Sequence, residues 1–82
     1  MVTILFFAQL REQLACEKIS LAINSSTSIS ALRERLVNDN PHWATFLSSD
    51  KLLFSVNQTL VKSSHAVNDG DEVAFFPPVT GG

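Results

Sequence analysis

Near its end the chain reads Asp69-Gly70-Asp71-Glu72-Val73-Ala74-Phe75-Phe76. Asp-Gly-Asp is a strong turn signal, because glycine adopts backbone conformations that other residues avoid. Residues 72–76 are rich in apolar and aromatic side chains, which favour β-strands. The sequence therefore predicts a turn that leads into a strongly apolar final strand.

The start of the chain predicts a strand of the same kind over residues 2–8. Ile4 and Phe6 alternate with Leu5 and Phe7, so both faces of this strand are apolar. Two such strands suit neighbouring positions in the middle of one sheet. The long crossover between them would make them parallel.

The residues between these strands predict one main helix and further short elements. The pattern indicates a helical turn at 9–15, a strand at 18–23, a helix from Ile29, a short helix after Pro41, strands at 51–56 and 59–61, and a loop at 62–68. Ser28 is the favoured cap of the main helix, and Thr27 is the alternative. This order predicts an α+β domain of the β-grasp, or ubiquitin-like, type: a mixed sheet of four to five strands with one main helix packed on one face.

The composition limits which kinds of protein the chain can be. The chain has 82 residues, a hydrophobic share of 45% and a net charge of −2, which predict one small globular domain. The six basic residues are scattered, so we expect no nucleic-acid partner. Cys16 is the only cysteine, which excludes an internal disulfide. No signal peptide or membrane span is expected, so the sequence indicates a cytoplasmic protein without a membrane partner.

The last residues predict an extended tail, so we divide the chain into a domain at 1–76 and a tail at 77–82. Pro77-Pro78 restricts the backbone to extended forms, and Gly81-Gly82 has no side chain to block a narrow slot. Fully extended, this tail would reach about 20 Å. The alternative is an inert, frayed terminus.

The domain itself shows no pattern of an enzyme with its own active site. His42 and His65 are isolated, so surface loop positions are favoured over a metal site, and no metal is expected. The remaining candidate group is the carboxylate of Gly82. If ATP converted it to an acyl-adenylate, a sulfur nucleophile could attack it and leave a thiocarboxylate.

Several segments resemble the small subunits of molybdopterin synthases, which are β-grasp sulfur carriers. They are Leu5-Phe6-Phe7-Ala8-Gln9 with Arg11-Glu12, Ala31-Leu32-Arg33, Val56-Asn57-Gln58-Thr59-Leu60-Val61 and, most specific, the run from Asp69 to Gly82. The resemblance covers nearly the whole chain. It is weakest at residues 24–28 and 38–50, where surface connections vary.

The resemblance implies that Gly82 is adenylated and becomes a thiocarboxylate, which donates sulfur to cyclic pyranopterin monophosphate in molybdenum cofactor biosynthesis. It implies three partners: a large synthase subunit, an adenylyltransferase resembling ubiquitin-activating enzymes, and a sulfur donor protein. This chain would bind no cofactor, since the activating partner uses the ATP. The implied assembly is a heterotetramer of two small and two large subunits.

The same resemblance implies the contact residues. Val79, Thr80 and Gly81 would enter the large subunit with Gly82. The family's docking surface corresponds to four residues of this chain: Phe7, Arg11, Leu60 and Phe76. Phe7 and Phe76 alternate with Phe6 and Phe75, so only one of the two pairs should face the helix. The alternative is that residues 9–15 cover Phe7 and Phe76.

Two other functions remain open. The chain could supply sulfur to another pathway, such as thiamine synthesis, or could form isopeptide bonds as a protein modifier. It could also be a non-catalytic β-grasp interaction module with an inert tail. The carrier hypotheses require Gly82 for function, whereas the interaction module does not.

Overall fold

The computed structural model describes residues 1–49 and 51–77. The strands are β1 (Val2–Phe6), β2 (Lys18–Leu21), β3 (Thr27–Ser28), β4 (Leu53–Val56), β5 (Thr59–Val61), β6 (Ala66–Val67) and β7 (Glu72–Phe76). The helices are α1 (Ala8–Leu14), α2 (Ile29–Asp39) and α3 (Ala44–Leu47), with a 3-10 turn (Pro41–Trp43) before α3. The predicted tail lies outside the described residues, apart from Pro77.

The main sheet has five strands in the order β2-β1-β7-β4-β5. β1 and β7 are neighbours and run parallel, with Ile4 opposite Val73 and Phe6 opposite Phe75. β2 pairs antiparallel with β1, and β4 pairs antiparallel with β7 and β5. The α+β class, the mixed sheet and the parallel central pair are therefore confirmed, and the arrangement is that of a β-grasp domain.

One face of the sheet carries the core. Apolar side chains of the strands pack there against the helices, and the largest fully buried ones are Phe6, Phe75, Ile4, Leu10, Ile29, Leu32, Leu36 and Leu47. Phe6 contacts the rings of Trp43 and Phe75 edge-to-face, with centroids 5.5 and 5.8 Å apart. Such edge-to-face pairs stabilise a core beyond the area they bury.

α2 begins where the sequence predicts. The side chain of Ser28 accepts a hydrogen bond from the backbone N–H of Ala31 at 3.1 Å, so Ser28 and not Thr27 is the cap. The helix buries Ile29, Leu32 and Leu36. After Pro41, the chain buries Trp43 and Leu47, while Phe46 is only partly covered.

Several predicted boundaries differ from those in the structure. β1 ends at Phe6, not at residue 8, because the chain turns into α1 at Ala8 with a φ of 54°. The predicted turn at 9–15 is the helix α1 (Ala8–Leu14). β2 and β4 are shorter than predicted, and the predicted loop at 62–68 contains β6.

Candidate functional site

The face of the sheet opposite the core is open to solvent and partly apolar. Its centre is the parallel pair β1 and β7, whose alternate residues point away from the helices. Three of the large apolar side chains that are exposed in the described part of the chain lie on this face: Phe7 (39% exposed), Leu53 (38%) and Leu60 (68%). A cluster of this kind is typical of a binding surface.

Phe7 and Phe76 form an aromatic stack at one end of the open face. Their ring centroids lie 5.0 Å apart and the rings are within 9° of parallel. The backbone N–H of Phe7 donates to the carbonyl of Phe75 at 3.2 Å, which continues the pairing of β1 with β7. Phe7 itself is extended, so its ring points away from the buried Phe6.

The structure shows which of the two phenylalanine pairs faces the helices. Phe6 and Phe75 face the helices and are 1% and 0% exposed. Phe7 is exposed and Phe76 is partly exposed, so α1 does not cover them. α1 instead buries Leu10 and Leu14 in the core.

A groove of about 410 Å³ runs along β7 on the open face. It is lined by Leu5, Phe7, Ser55, Gln58, Leu60, Glu72, Ala74 and Phe76. The aromatic stack closes one end, and Gln58 and Glu72 form a polar end. β7 ends at Phe76, so the chain leaves the sheet beside the stack.

Two turns lie at the polar end of the groove: the hairpin turn at Asn57-Gln58 and the turn at residues 68–71, where the N–H of Asp71 donates to the carbonyl of Asn68 at 3.1 Å. Asn57 and Gln58 have φ values of 49° and 72°, the conformation of a tight hairpin between β4 and β5. The side-chain oxygen of Asn57 accepts from the N–H of Glu72 at 3.0 Å, and its backbone N–H donates to the carbonyl of Glu72 at 2.7 Å. These bonds fix the hairpin, and with it Leu60, against β7.

Three of the four predicted interface residues meet in this groove. Phe7, Leu60 and Phe76 line it together, whereas Arg11 lies on α1 and does not. Arg11 is exposed, and its guanidinium lies 4.0 Å from the carboxylate of Glu17, a contact between two exposed groups that contributes little. The tail residues Val79, Thr80, Gly81 and Gly82 lie outside the described residues.

The site contains residues that the sequence analysis did not nominate. Leu53 lies opposite Phe76 in the β4–β7 pairing, and Leu5 lies opposite Ala74 in the β1–β7 pairing. Strand alternation was a sufficient signal for both, since their neighbours Leu52 and Phe54, like Ile4, face the core. Ser55 and Ala74 were missed because small residues give no apolar signal.

A second depression, of about 490 Å³, lies beside α2 and is lined by Arg33, Glu34, Val37, Asn38 and Ser48. The guanidinium of Arg33 already makes two contacts: it lies 5.5 Å from the centroid of the Phe54 ring, and it donates to the carbonyl of Ser49 at 3.5 Å. This depression exposes no large apolar anchor and lies on the helix side, so the groove on the open face is the better candidate.

The described residues contain no cluster of three or more histidine, cysteine or acidic side chains that could hold a metal ion. His42 and His65 are both exposed. No helix within residues 1–49 and 51–77 is long and apolar enough to span a bilayer.

Comparison with known proteins places this architecture in a family. The model of the ThiS family matches residues 4–82. The chain belongs to the ThiS family. This ThiS-family chain is 49% identical to the molybdopterin synthase sulfur carrier subunit of Escherichia coli (strain K12), and the alignment covers 100% of both chains. It is 48% identical to the protein of that name in Haemophilus influenzae, again over 100% of both chains.

Solved structures share the fold of this ThiS-family chain. The crystal structure of SAMP1 from Haloferax volcanii has a TM-score of 0.80 at 23% identity and covers 99% of this chain and 98% of that one. A chain in the complex of subunits 1 and 2 of molybdopterin-converting factor from Helicobacter pylori has a TM-score of 0.67 at 23% identity, covering 99% and 97%. Both are similar in architecture, and at this identity the likeness bears on the fold alone.

Proposed function

We propose that this protein is the sulfur-carrier subunit of a molybdopterin synthase. The observation that carries the proposal is the 49% identity to an Escherichia coli protein of that name over the full length of both chains. The open sheet face agrees with it, because an exposed aromatic stack lies where β7 ends and the tail begins. A carrier needs such a docking surface beside the group that it delivers.

The reacting group in this proposal is the carboxylate of Gly82. One carboxylate oxygen attacks the α-phosphate of ATP and pyrophosphate leaves, which gives an acyl-adenylate. A sulfur nucleophile, such as a persulfide on a donor protein, then attacks the Gly82 carbonyl carbon and displaces AMP. Cleavage of the sulfur–sulfur bond by a reductant leaves a thiocarboxylate on Gly82. Glycine suits this sequence because no side chain hinders approach to the carbonyl.

The second half of the proposed cycle takes place on a partner. The tail, with Val79, Thr80 and Gly81, enters the large synthase subunit and presents the thiocarboxylate to cyclic pyranopterin monophosphate. The thiocarboxylate sulfur bonds to that substrate, and water then cleaves the bond between this sulfur and the Gly82 carbonyl carbon, which leaves the sulfur on the substrate and a carboxylate on Gly82. Phe7, Leu60 and Phe76 would dock the domain, with Arg11 at its margin. Two small and two large subunits would form the synthase.

This proposal gives the chain no catalytic group of its own. An adenylyltransferase supplies the binding site for ATP, a donor protein supplies sulfur, and the large subunit supplies the catalytic residues of transfer. The chain contributes the acyl group and the surface that each partner recognises. No cofactor is assigned to it.

The test is the intact mass of the untagged protein after incubation with the activating enzyme, ATP and a sulfur source. We expect a gain equal to the replacement of one oxygen by sulfur, and none in a variant that lacks Gly82. Accurate mass is needed because oxidation of Met1 or Cys16 adds nearly the same nominal mass. The thermal unfolding curves of the two proteins should coincide, since they differ only by one terminal glycine, which has no side chain to bury.

The outcomes separate the competing functions. A gain in mass followed by sulfur transfer to cyclic pyranopterin monophosphate, in the presence of the large subunit, supports the proposal. A gain without that transfer would favour a carrier for another pathway. No gain with a competent activating enzyme would favour the inert interaction module.

A further inference from the structure

The centre of the open face is built from two small residues. Ala74 lies on β7, the middle strand of the sheet, and Ser55 lies directly opposite it on β4. Central strand positions usually carry β-branched or aromatic side chains, and alanine is depleted there. Two small residues side by side leave a hollow where larger side chains would fill the surface.

Larger side chains lie on both sides of this hollow and at one end of it. Leu5 is the register partner of Ala74 on β1, and Leu60 is the register partner of Ser55 on β5. The stacked rings of Phe7 and Phe76 close the end from which the tail leaves. The hollow therefore has a floor of two small residues, Ala74 and Ser55, between walls of larger apolar side chains.

The floor is shielded although it faces solvent. Ser55 and Ala74 are each only 5% exposed, whereas Leu60 on the wall is 68% exposed. The groove volume of about 410 Å³ falls within the range of about 300–1,000 Å³ typical of ligand clefts. This volume belongs to the whole groove, and it exceeds that of a single leucine, methionine or phenylalanine side chain.

We propose that the Ala74–Ser55 hollow is a slot for one large apolar side chain of the large synthase subunit. This inference rests on the proposed function above. The side chain would insert between Leu60 and the Phe7–Phe76 stack and reach the floor as the exposed side chain of Leu60 moves aside. Binding energy at protein interfaces is concentrated in anchors of this kind, which fill desolvated pockets near the centre of the contact.

The tail places the slot near any protein that binds Gly82, and under the proposed function the large synthase subunit is the protein that uses the thiocarboxylate. The residues after Pro77 can reach at most about 17 Å when fully extended, and Pro77 directly follows Phe76, which is itself a wall of the slot. Any protein that holds Gly82 in an active site must therefore bring that site within about 17 Å of Pro77, beside this end of the open face. Gln58 and Glu72 form a polar rim at the other end, as surrounds the apolar core of most interfaces.

The test fills the slot without changing the core. Ala74→Leu and, independently, Ser55→Leu each place a branched side chain on the floor, pointing away from the helices. Ala74→Ser is the matched control, because it changes the residue but leaves the slot open. The affinity of each full-length variant for the purified large subunit is measured by isothermal titration calorimetry, after circular dichroism has established that the variant is folded.

We expect both leucine variants to bind the large subunit about tenfold or more weakly, as overpacking a well-fitted site does. Ala74→Ser should remain within about twofold of the wild type. Wild-type affinity in a folded Ala74→Leu or Ser55→Leu variant would overturn the slot. Equal weakening by Ala74→Ser would also overturn it, because filling would then not be the cause.

The same variants distinguish this inference from the proposed function. If the wild type gains sulfur on Gly82 and the leucine variants bind normally, the slot is wrong and the carrier function stands. If the wild type gains no sulfur and does not bind the large subunit, both are wrong. If the leucine variants bind the large subunit normally but are no longer adenylated, the slot belongs to the activating enzyme and its assignment to the large subunit is wrong.

Discussion

Asp71 is the residue that joins the two turns at the polar end of the groove. Its carboxylate accepts from the backbone N–H of Asn68 at 2.8 Å and from the side-chain amide of Asn57 at 3.1 Å. The hydrogen bond from Asn68, followed by that from Asn57, lowers the pKa of Asp71 below its usual value. The folded protein therefore stabilises the ionised carboxylate of Asp71 more than the unfolded chain does.

This pKa shift gives a pH dependence of defined sign. The stabilisation is complete above the ordinary aspartate pKa of about 3.9 and is lost as the pH falls through the lowered value. We predict that Asp71→Asn lowers the free energy of unfolding by about 1 kcal/mol at pH 7 and less at pH 3. Urea unfolding at several pH values measures this difference. A difference that stays constant from pH 7 to pH 3 would contradict the role of the ionised carboxylate.

At the scale of elements, α1 ends in a conformation that its sequence disfavours. Ala15 is the C-cap of α1, with φ 52° and ψ 37°, and its N–H donates to the carbonyl of Glu12 at 3.2 Å. The next N–H, of Cys16, donates to the carbonyl of Arg11 at the same distance. This left-handed position is usually glycine, because a Cβ costs about 1–2 kcal/mol there.

We predict that Ala15→Gly stabilises the protein by about 0.5–1 kcal/mol, since relief of the Cβ strain outweighs the greater flexibility of glycine in the unfolded chain. Ala31→Gly is the matched control. Ala31 is exposed within α2, where glycine should destabilise by a similar amount. Thermal unfolding of both variants measures the two signs. Destabilisation by both would show that the left-handed cap stores no recoverable strain.

The elements also show what the sequence alone could predict. The Ser28 cap, the Asn57-Gln58 turn and the last strand were predictable, because each depends on local residue types. The pairing of β3 with β6 was not: Thr27 lies opposite Val67, and these two-residue strands exist only because distant segments meet. No periodicity can appear in two residues.

Likewise, only part of the candidate site could be predicted from the sequence. Alternation separated Phe7 and Phe76 from Phe6 and Phe75 without showing which pair faces the helices, and family resemblance nominated Phe7, Leu60 and Phe76 as contact residues. Their meeting in one groove depends on the strand order β1-β7-β4-β5, which the sequence indicated only for its central pair. Ala74 and Ser55 became visible as a hollow only when their register was known.

At the scale of the whole molecule, the sheet separates stability from binding. Consecutive phenylalanines point to opposite faces: Phe75 packs between Phe6 and Phe54 in the core, and Phe76 stacks on Phe7 in the groove. Substitution of either one by alanine removes the same atoms. The consequences should differ because only one face is covered by helices.

We predict that Phe75→Ala lowers the free energy of unfolding by about 3–5 kcal/mol, because Phe75 is fully buried and truncation leaves a cavity. A small domain has only about 5–15 kcal/mol in total, so this variant should unfold at much lower urea concentrations. Phe76→Ala loses partial burial and one stacked pair, worth about 1 kcal/mol. Urea unfolding followed by circular dichroism measures both values.

Binding should show the reverse order. Phe76→Ala removes an aromatic anchor beside the tail, which should weaken binding to the large synthase subunit by about 2 kcal/mol or more, roughly 30-fold. Phe75→Ala, measured at a temperature where it remains folded, should bind within a few-fold of the wild type because its ring never reaches the surface. Wild-type affinity of Phe76→Ala would place the docking surface elsewhere. A core variant that bound more weakly than the groove variant would mean that the two faces are not independent.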